Sequence, residues 1–117
     1  MPSFRYFERD EFKCKETGEN EIKNSFIRKL DDLREICGFP FIISSGYRSP
    51  RHSAEKDKPN GGGEHTKGHA ADIVINSAAQ RYKLVKQALA QGFTGIGVAS
   101  TFIHVDCRSS EPKMWTY

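Results

Sequence analysis

A histidine and an aspartate stand on either side of a single glycine in residues 65–72, as His65 and Asp72. An imidazole nitrogen and a carboxylate oxygen are both ordinary ligands of protein-bound metal ions. Residues 102–106 offer a third ligand, because alternating apolar and polar residues predict a strand that carries His104 and Asp106 on one face. Two histidines and one aspartate, with one coordination position left open, are typical of a catalytic zinc site rather than a structural one.

The surroundings of Asp72 support this interpretation. The residue lies among apolar neighbours in a predicted strand over residues 71–75. A carboxylate buried there without a partner would cost free energy, which favours a metal or a cationic side chain beside it. The alternative is a metal-free binding domain in which His65, Asp72 and His104 are ordinary buried polar groups.

The composition predicts one domain over residues 1–117, with a formal net charge of +3 and 37% hydrophobic residues. Lysines and arginines are interspersed with acidic residues, so the charge is too weak and too scattered to predict nucleic-acid binding. No run approaches the roughly 20 apolar residues of a membrane span. Residues 1–5 lack the apolar core of a signal peptide, which predicts a protein made in the cytosol.

The three cysteines, Cys14, Cys37 and Cys107, form no C-x-x-C pair. An odd number without such a pair indicates neither a disulfide framework nor a zinc ribbon. We therefore expect reduced thiols, and we expect Cys14 to be a packed or free thiol rather than a metal ligand.

The periodicity of the chain predicts two helices and several short strands. Apolar residues recur at helical spacing over residues 22–36, with Asn20 as the predicted N-cap and Gly38 at the end. A second helix is predicted from Ser77 to Gly92, and strands are predicted over residues 41–45, 71–75, 93–98 and 102–105, the last two as a hairpin. The tail from Arg108 has no regular period. We expect an α+β fold with two helices on one face of a small, mainly antiparallel sheet and the metal cleft on the other.

Residues 49–64 form a long polar loop with two prolines and three consecutive glycines. Loops of this length without periodicity are either functional or mobile. Because the loop ends at His65, we expect it to border the cleft. His52 lies within it and is predicted to be an exposed histidine without a role at the metal.

Three sequence blocks in this order resemble a known family. The first block runs from Ser44 to Pro50 and is similar to S-G-Y-R-[ST]-P, the second has the pattern H-x-x-G-x-A-x-D, and the third is an apolar strand with a single histidine. Together they cover about the latter two thirds of the chain and resemble the zinc D-Ala-D-Ala carboxypeptidases and endopeptidases of the hedgehog/DD-peptidase fold, a branch of the M15 peptidases. The pattern residues are His65, Gly68, Ala70, Asp72 and His104.

The resemblance implies a function and a site. Such peptidases hold Zn²⁺ at the positions of His65, Asp72 and His104, and they use the position of Arg48 to bind substrate and stabilise charge. Without the resemblance, Arg48 is equally well an ordinary surface salt-bridge residue. Family members hydrolyse peptide bonds between or next to D-amino acids in peptidoglycan stem peptides, as carboxypeptidases, dipeptidases or cross-link endopeptidases. A small member without a signal peptide is similar to phage-encoded enzymes, which implies action on the cell wall in lysis or as a virion component. We also expect a monomer.

The sequence departs from the family at the general base. Many relatives carry a glutamate, aspartate or histidine two or three residues before the last zinc histidine, where this chain has Phe102 and Thr101. Asp106 is the nearest candidate, either as the base or as a group that holds a ligand, and relatives ending in H-V-D are similar here. Glu64 and His69 are the alternatives. The departure also leaves open a zinc-binding module of the same fold that binds cell wall or virion partners without turnover.

Overall fold

A computed structural model describes residues 3–117 of the chain. Met1 and Pro2, which begin the segment predicted to lack a signal peptide, lie outside the described residues.

The order of elements confirms the predicted α+β class. The helices are α1 (Asn24–Cys37) and α2 (Ala78–Ala90), and the strands are β1 (Ile43–Ser45), β2 (Ala70–Val74), β3 (Gly95–Val98), β4 (Phe102–Asp106) and β5 (Lys113–Thr116). Short 3₁₀ turns occupy Arg9–Phe12, Pro59–Gly61 and Glu64–Lys67. Among residues 3–117, no helix combines the length and the apolar character that crossing a membrane requires.

The five strands form one sheet in the order β1-β2-β4-β3-β5. All neighbouring pairs are antiparallel except β3 and β5, which are parallel. The predicted hairpin of β3 and β4 is confirmed, and Ala99 N–H donates to the Phe102 carbonyl at 3.1 Å across its turn. The central strand β4 therefore has neighbours on both sides.

Alternation along the central strands separates a core face from a polar face. Ile103 and Val105 of β4, with Ala71 and Ile73 of β2, belong to one apolar cluster with the helices. Their neighbours in sequence point the other way, because successive side chains of a strand alternate between faces. The helix residues in this cluster include Phe26, Ile27, Leu30, Leu33, Leu84 and Ala88. The two helices thus pack on one face of the sheet, as predicted.

The N-cap of helix α1 lies three residues later than the sequence predicts. Its N-cap is Lys23, and Asn20 makes other contacts: its Oδ1 accepts from Ile22 N–H at 3.2 Å and its Nδ2 donates to the Arg9 carbonyl at 2.7 Å. Lys23 N–H donates to the Gly68 carbonyl at 2.9 Å, which holds residues 21–23 outside the helix. The predicted end is correct, since Gly38 adopts φ of 76° and donates its N–H to the Arg34 carbonyl.

Strand β5 was not predicted, because the tail shows no alternating pattern. It pairs with β3 alone, at the edge of the sheet, and all of its residues except Trp115 are exposed. An edge strand with little burial on either face has no need of the apolar alternation that reveals other strands. The pairing nevertheless places Trp115 beside Gly97 and brings the end of the chain to the polar face.

Candidate metal centre

The sheet register brings two of the three predicted ligands together. Asp72 of β2 lies directly opposite His104 of β4. His65 reaches the same point from the 3₁₀ turn Glu64–Lys67, and Gly68 then leads into β2 with φ of 79°. A side chain at Gly68 would meet the Glu21 carbonyl oxygen at 2.4 Å, so the close approach of the two segments requires glycine there.

The ligand atoms of His65, Asp72 and His104 all lie within 4.8 Å of one another. Asp72 Oδ1 is 3.0 Å from His104 Nδ1 and 3.4 Å from His65 Nε2. The three residues are only 6%, 7% and 4% exposed. The predicted ligands therefore form one compact and buried cluster.

Hydrogen bonds on the outer sides of the two imidazoles fix which nitrogens face the cluster. His65 Nδ1 is 2.7 Å from the Gly46 carbonyl, which can only accept, so this nitrogen carries the proton. His104 Nε2 is 2.7 Å from Asp106 Oδ2 and donates to that carboxylate in the same way. The unprotonated nitrogens, Nε2 of His65 and Nδ1 of His104, are left facing Asp72.

This donor set fits a divalent metal ion. Two imidazole lone pairs and one carboxylate oxygen converge with no hydrogen between them, an arrangement that needs either a cation or an added proton. A tetrahedral site with ligand bonds of about 2.1 Å separates its ligand atoms by about 3.4 Å, close to the observed 3.0 and 3.4 Å. Two of the three separations therefore match a tetrahedral site, and the third, between the two imidazole nitrogens, is within 4.8 Å.

The electrostatics of the cluster favour a positive charge. Burial alone would raise the pKa of Asp72, but His104 and His65, which donate to it and carry positive charge when they are protonated, lower it well below its usual range. Burial likewise lowers the pKa of His104, yet Asp106 and Asp72, which both accept from the ring once it is fully protonated, outweigh it and raise that pKa above its ordinary value. A buried carboxylate held in its charged form attracts whichever cation reaches it, a proton or a metal ion.

Asp106 lies behind His104, on the side of the imidazole away from the cluster. It is fully buried, and Arg108 binds it through both its guanidinium and its backbone: Nη2 donates to Oδ2 at 2.6 Å, and Nε and the backbone N–H donate to Oδ1 at 3.0 Å. Burial would raise its pKa, but His104 and Arg108 keep it well below its usual range. These contacts use both oxygens of the carboxylate.

Two glycines in β3 make room for this arrangement. Gly95 pairs with Asp106, and a Cβ at Gly95 would lie 2.2 Å from Asp106 Oδ1. Gly97 pairs with His104 on one side and with Trp115 on the other, and a Cβ there would lie 2.7 Å from the indole Nε1. The ring centroids of Trp115 and His104 are consequently only 5.2 Å apart. The sequence alone did not place Trp115 or Arg108 at the site, and the alternating glycines of residues 95–97 are the signal that could have indicated them.

Arg48 lies in the same cleft as the cluster, a space of about 310 Å³ on the polar face. Its Nη1 donates to Glu55 Oε2 at 2.8 Å, and its Nη2 is 3.9 Å from Asp72 Oδ2. The sequence offered no signal for Glu55, which stands in the polar loop among other charged residues.

Of the two alternative candidates for the general base, Glu64 lines the cleft and His69 does not. Glu64 lines it, with a side chain 23% exposed. His69 Nε2 lies 3.5 Å from Glu64 Oε1, but His69 itself borders a different hollow beside Lys29 and Cys107. Phe102, Trp115 and Tyr117 complete the aromatic side of the cleft.

His52 lies away from the cluster. Its Nε2 is 3.2 Å from Glu16 Oε2, and its Nδ1 accepts from Ala54 N–H at 2.9 Å. These contacts leave the residue half-buried rather than exposed as predicted.

The three cysteines have free thiols in the described part of the chain. Cys14 and Cys37 are buried in the apolar core, Cys107 is half-buried, and none of them is paired in a disulfide among the described residues. Burial raises the pKa of Cys37 to about 11. The described metal-ligand cluster contains no cysteine.

Comparison with known proteins agrees with this site. The family model for Peptidase M15 matches residues 5–106, which include all three residues of the cluster. No curated protein matches the chain. Peptidases of this family are metal-dependent hydrolases, and the cluster of His65, Asp72 and His104 supplies a place for the metal. The chain belongs to the peptidase M15 family.

Proposed function

We propose that the protein is a zinc peptidase that hydrolyses peptide bonds involving D-amino acids in peptidoglycan stem peptides or cross-links. The observation that carries this proposal is the buried convergence of His65, Asp72 and His104 at the base of an open cleft in an M15 chain. The choice of zinc rests on two nitrogen ligands and one oxygen ligand, a usual set for catalytic zinc. The choice of substrate rests on the resemblance of the S-G-Y-R and H-x-x-G-x-A-x-D blocks to D-Ala-D-Ala peptidases.

When bound, zinc would supply a Lewis acid that activates water and polarises the scissile carbonyl. The chain's own residues hold and orient the reacting groups. His65 and His104 present one fixed nitrogen each, because Gly46 and Asp106 hold their other nitrogens. Arg48 directs Nη2 into the cleft near Asp72, where it can donate to an oxygen of the substrate.

Glu64 is the residue that we propose as the proton acceptor. Of the acidic residues of the cleft, Asp72 belongs to the metal cluster and Glu55 is fully buried against Arg48 and Lys58. Asp106 is fully buried behind His104, so water in the cleft does not reach it. Glu64 lines the cleft and remains partly exposed. Its carboxylate can take a proton from water and return it to the leaving amine.

One observation favours a second function, a zinc-binding module without turnover. Phe102 lines the cleft, and the peptidases that the chain resembles often carry an acid or an imidazole two or three residues before the last zinc histidine. A metal-binding cleft with no competent base would bind its ligand and release it unchanged.

The test compares metal content and hydrolysis in the wild type, His104→Ala and His52→Ala. His52 is the matched control, since it is a histidine that faces Glu16 outside the cluster. We expect about one zinc per chain and chelator-sensitive release of new amines from peptidoglycan in the wild type and in His52→Ala. His104→Ala should lose both while remaining folded by circular dichroism. Zinc without hydrolysis would support the second function, and a wild type without metal would overturn the site.

A further inference from the structure

Glu55 is a fully buried carboxylate in a loop of mostly exposed residues. It is 1% exposed, whereas both of its neighbours in sequence, Ala54 and Lys56, are exposed. A buried carboxylate costs free energy unless several donors satisfy it. Glu55, in the long loop over residues 49–64, therefore needs specific hydrogen-bond or ion-pair partners in place of water.

Three donors surround this carboxylate. Glu55 Oε1 accepts from Gly63 N–H at 2.7 Å and lies 3.3 Å from Lys58 Nζ, while Oε2 accepts from Arg48 Nη1 at 2.8 Å. Burial would raise the pKa of Glu55, but these donors outweigh it and lower the pKa below its ordinary value. The carboxylate thus links Lys58 and Gly63 of its own loop to Arg48.

The contacts leave one edge of Arg48 directed at the metal cluster. Its Nε donates to Ser45 Oγ at 3.2 Å, and its Nη1 donates to Glu55. Its Nη2 lies 3.9 Å from Asp72 Oδ2, beyond hydrogen-bond range. Two of the three guanidinium nitrogens are therefore held by the protein, and the third faces the space where a substrate would lie.

Other acidic residues fasten the same loop without touching Arg48. Glu16 accepts from Ser53 N–H at 3.2 Å and from Ser53 Oγ, and it lies 3.2 Å from His52 Nε2. Glu19 accepts from Ser49 Oγ at 3.1 Å and pairs with Arg51. Glu16 and Glu19 thus attach the loop at points remote from the cleft, whereas Glu55 attaches it beside Arg48. A substitution at Glu16 can therefore serve as the control for one at Glu55.

We infer that Glu55 is a positioning residue that fixes the guanidinium of Arg48 toward the substrate and holds the 49–64 loop against the cleft. The inference rests on the proposed function for its effect on turnover. The position of Arg48 itself is independent of any substrate and can be measured separately. A purely structural Glu55 would stabilise the loop without affecting how Arg48 acts.

The test is Glu55→Gln beside Glu16→Gln, each also made in an Arg48→Ala background. Glutamine keeps the volume of Glu55, but it has one acceptor oxygen and presents an NH₂ group to a site filled with donors. We expect Glu55→Gln to lower kcat/KM on peptidoglycan fragments by about 10- to 100-fold, since small misplacements of such groups have effects of this size. Glu16→Gln should stay within about twofold of the wild type, and Glu55→Gln should add less than about twofold in the Arg48→Ala background.

A second measurement does not depend on turnover. The Nε–H resonance of Arg48 can be identified in ¹⁵N spectra by its absence from Arg48→Ala. In the wild type and in Glu16→Gln, this hydrogen should exchange slowly with water. The resonance should broaden or shift in Glu55→Gln. An unchanged Arg48 resonance in Glu55→Gln would overturn the inference, whether or not the wild type hydrolyses peptidoglycan. A wild type that hydrolyses nothing would by itself overturn only the proposed peptidase function. Equal losses of kcat/KM in Glu55→Gln and Glu16→Gln, or additive losses with Arg48→Ala, would also overturn it.

Discussion

His104 donates from Nε2 to Asp106 Oδ2 at 2.7 Å, on the side of the imidazole opposite to the metal cluster. A carboxylate in this position fixes the tautomer and the orientation of a metal-binding histidine, and it increases the basicity of the ligating nitrogen. Of the two roles that the sequence left open for Asp106, this geometry favours holding a ligand.

Asp106→Asn is expected to weaken zinc binding. The asparagine amide can no longer offer His104 a charged acceptor. Its NH₂ group is itself a donor, so it would face either His104 or the N–H groups of Arg108 without an acceptor between them. Loss of such a supporting carboxylate usually lowers metal affinity by about 10- to 100-fold. Competition with a chromophoric chelator measures the change, and Asp10→Asn, at an exposed carboxylate, is the control. Unchanged zinc affinity together with lost turnover would instead identify Asp106 as the base.

Glu64→Gln is expected to affect turnover rather than zinc binding, unlike Asp106→Asn. The variant is expected to keep its zinc, because Glu64 is not one of the three clustered ligands, and to lose turnover by about 10²- to 10⁴-fold, the range for removing a general base. Steady-state hydrolysis and metal analysis on the same preparation separate the two effects. Glu111→Gln, an exposed residue of the tail, is the control. Turnover within a few-fold of the wild type, on the order of what a surface change produces, would remove Glu64 from the mechanism.

Gly95→Ala should disturb the metal centre from a neighbouring strand. Its Cβ would lie 2.2 Å from Asp106 Oδ1, and that carboxylate cannot move aside because Arg108 and His104 hold both oxygens. We expect a loss of about 1 to 3 kcal/mol in the free energy of unfolding, the usual effect of overpacking. Urea unfolding measures it. In an Asp106→Ala background the added methyl group has space, so a similar loss in both backgrounds would disprove this explanation.

Trp115 is expected to report metal binding. It is the only tryptophan of the chain, and its ring centroid lies 5.2 Å from that of His104. A paramagnetic ion such as Co²⁺ bound beside His104 should therefore quench the tryptophan emission, with saturation at about one ion per chain if one cluster binds it. His65→Ala keeps Trp115 but lacks a ligand, so quenching should be absent or much weaker. Equal quenching in His65→Ala would show that the ion binds elsewhere.

Local patterns predicted the parts of the site that lie within one segment of chain. The spacing of His65 and Asp72 around Gly68, and the alternation that puts His104 and Asp106 on one face of β4, are visible without a structure. The class of fold followed from helical and strand periodicity, and the family assignment followed from motifs.

The parts that were missed depend on pairing between distant segments. Trp115 reaches His104 only because β5 lies parallel to β3 with Gly97 between them, and no pattern in an exposed edge strand predicts that register. Glu55 looks like any other charged residue of a polar loop until the fold of the loop buries it against Arg48. Asn20 was predicted to begin α1 from its residue type, but tertiary contacts of residues 21–23 moved the start to Asn24.

The free-energy contribution of Glu55 should depend on pH. Since the donors around it lower its pKa in the folded protein, its stabilising effect is complete above the unfolded glutamate pKa of about 4.3. The effect is then lost as the pH falls through the lower folded-state value, because the protonated carboxyl group no longer attracts Arg48 and Lys58. Urea unfolding of the wild type and Glu55→Gln between pH 7 and pH 3 should give a difference in stability that is constant near neutrality and shrinks below about pH 4. A difference that stays constant to pH 3 would show that the charge of Glu55 does not stabilise the fold.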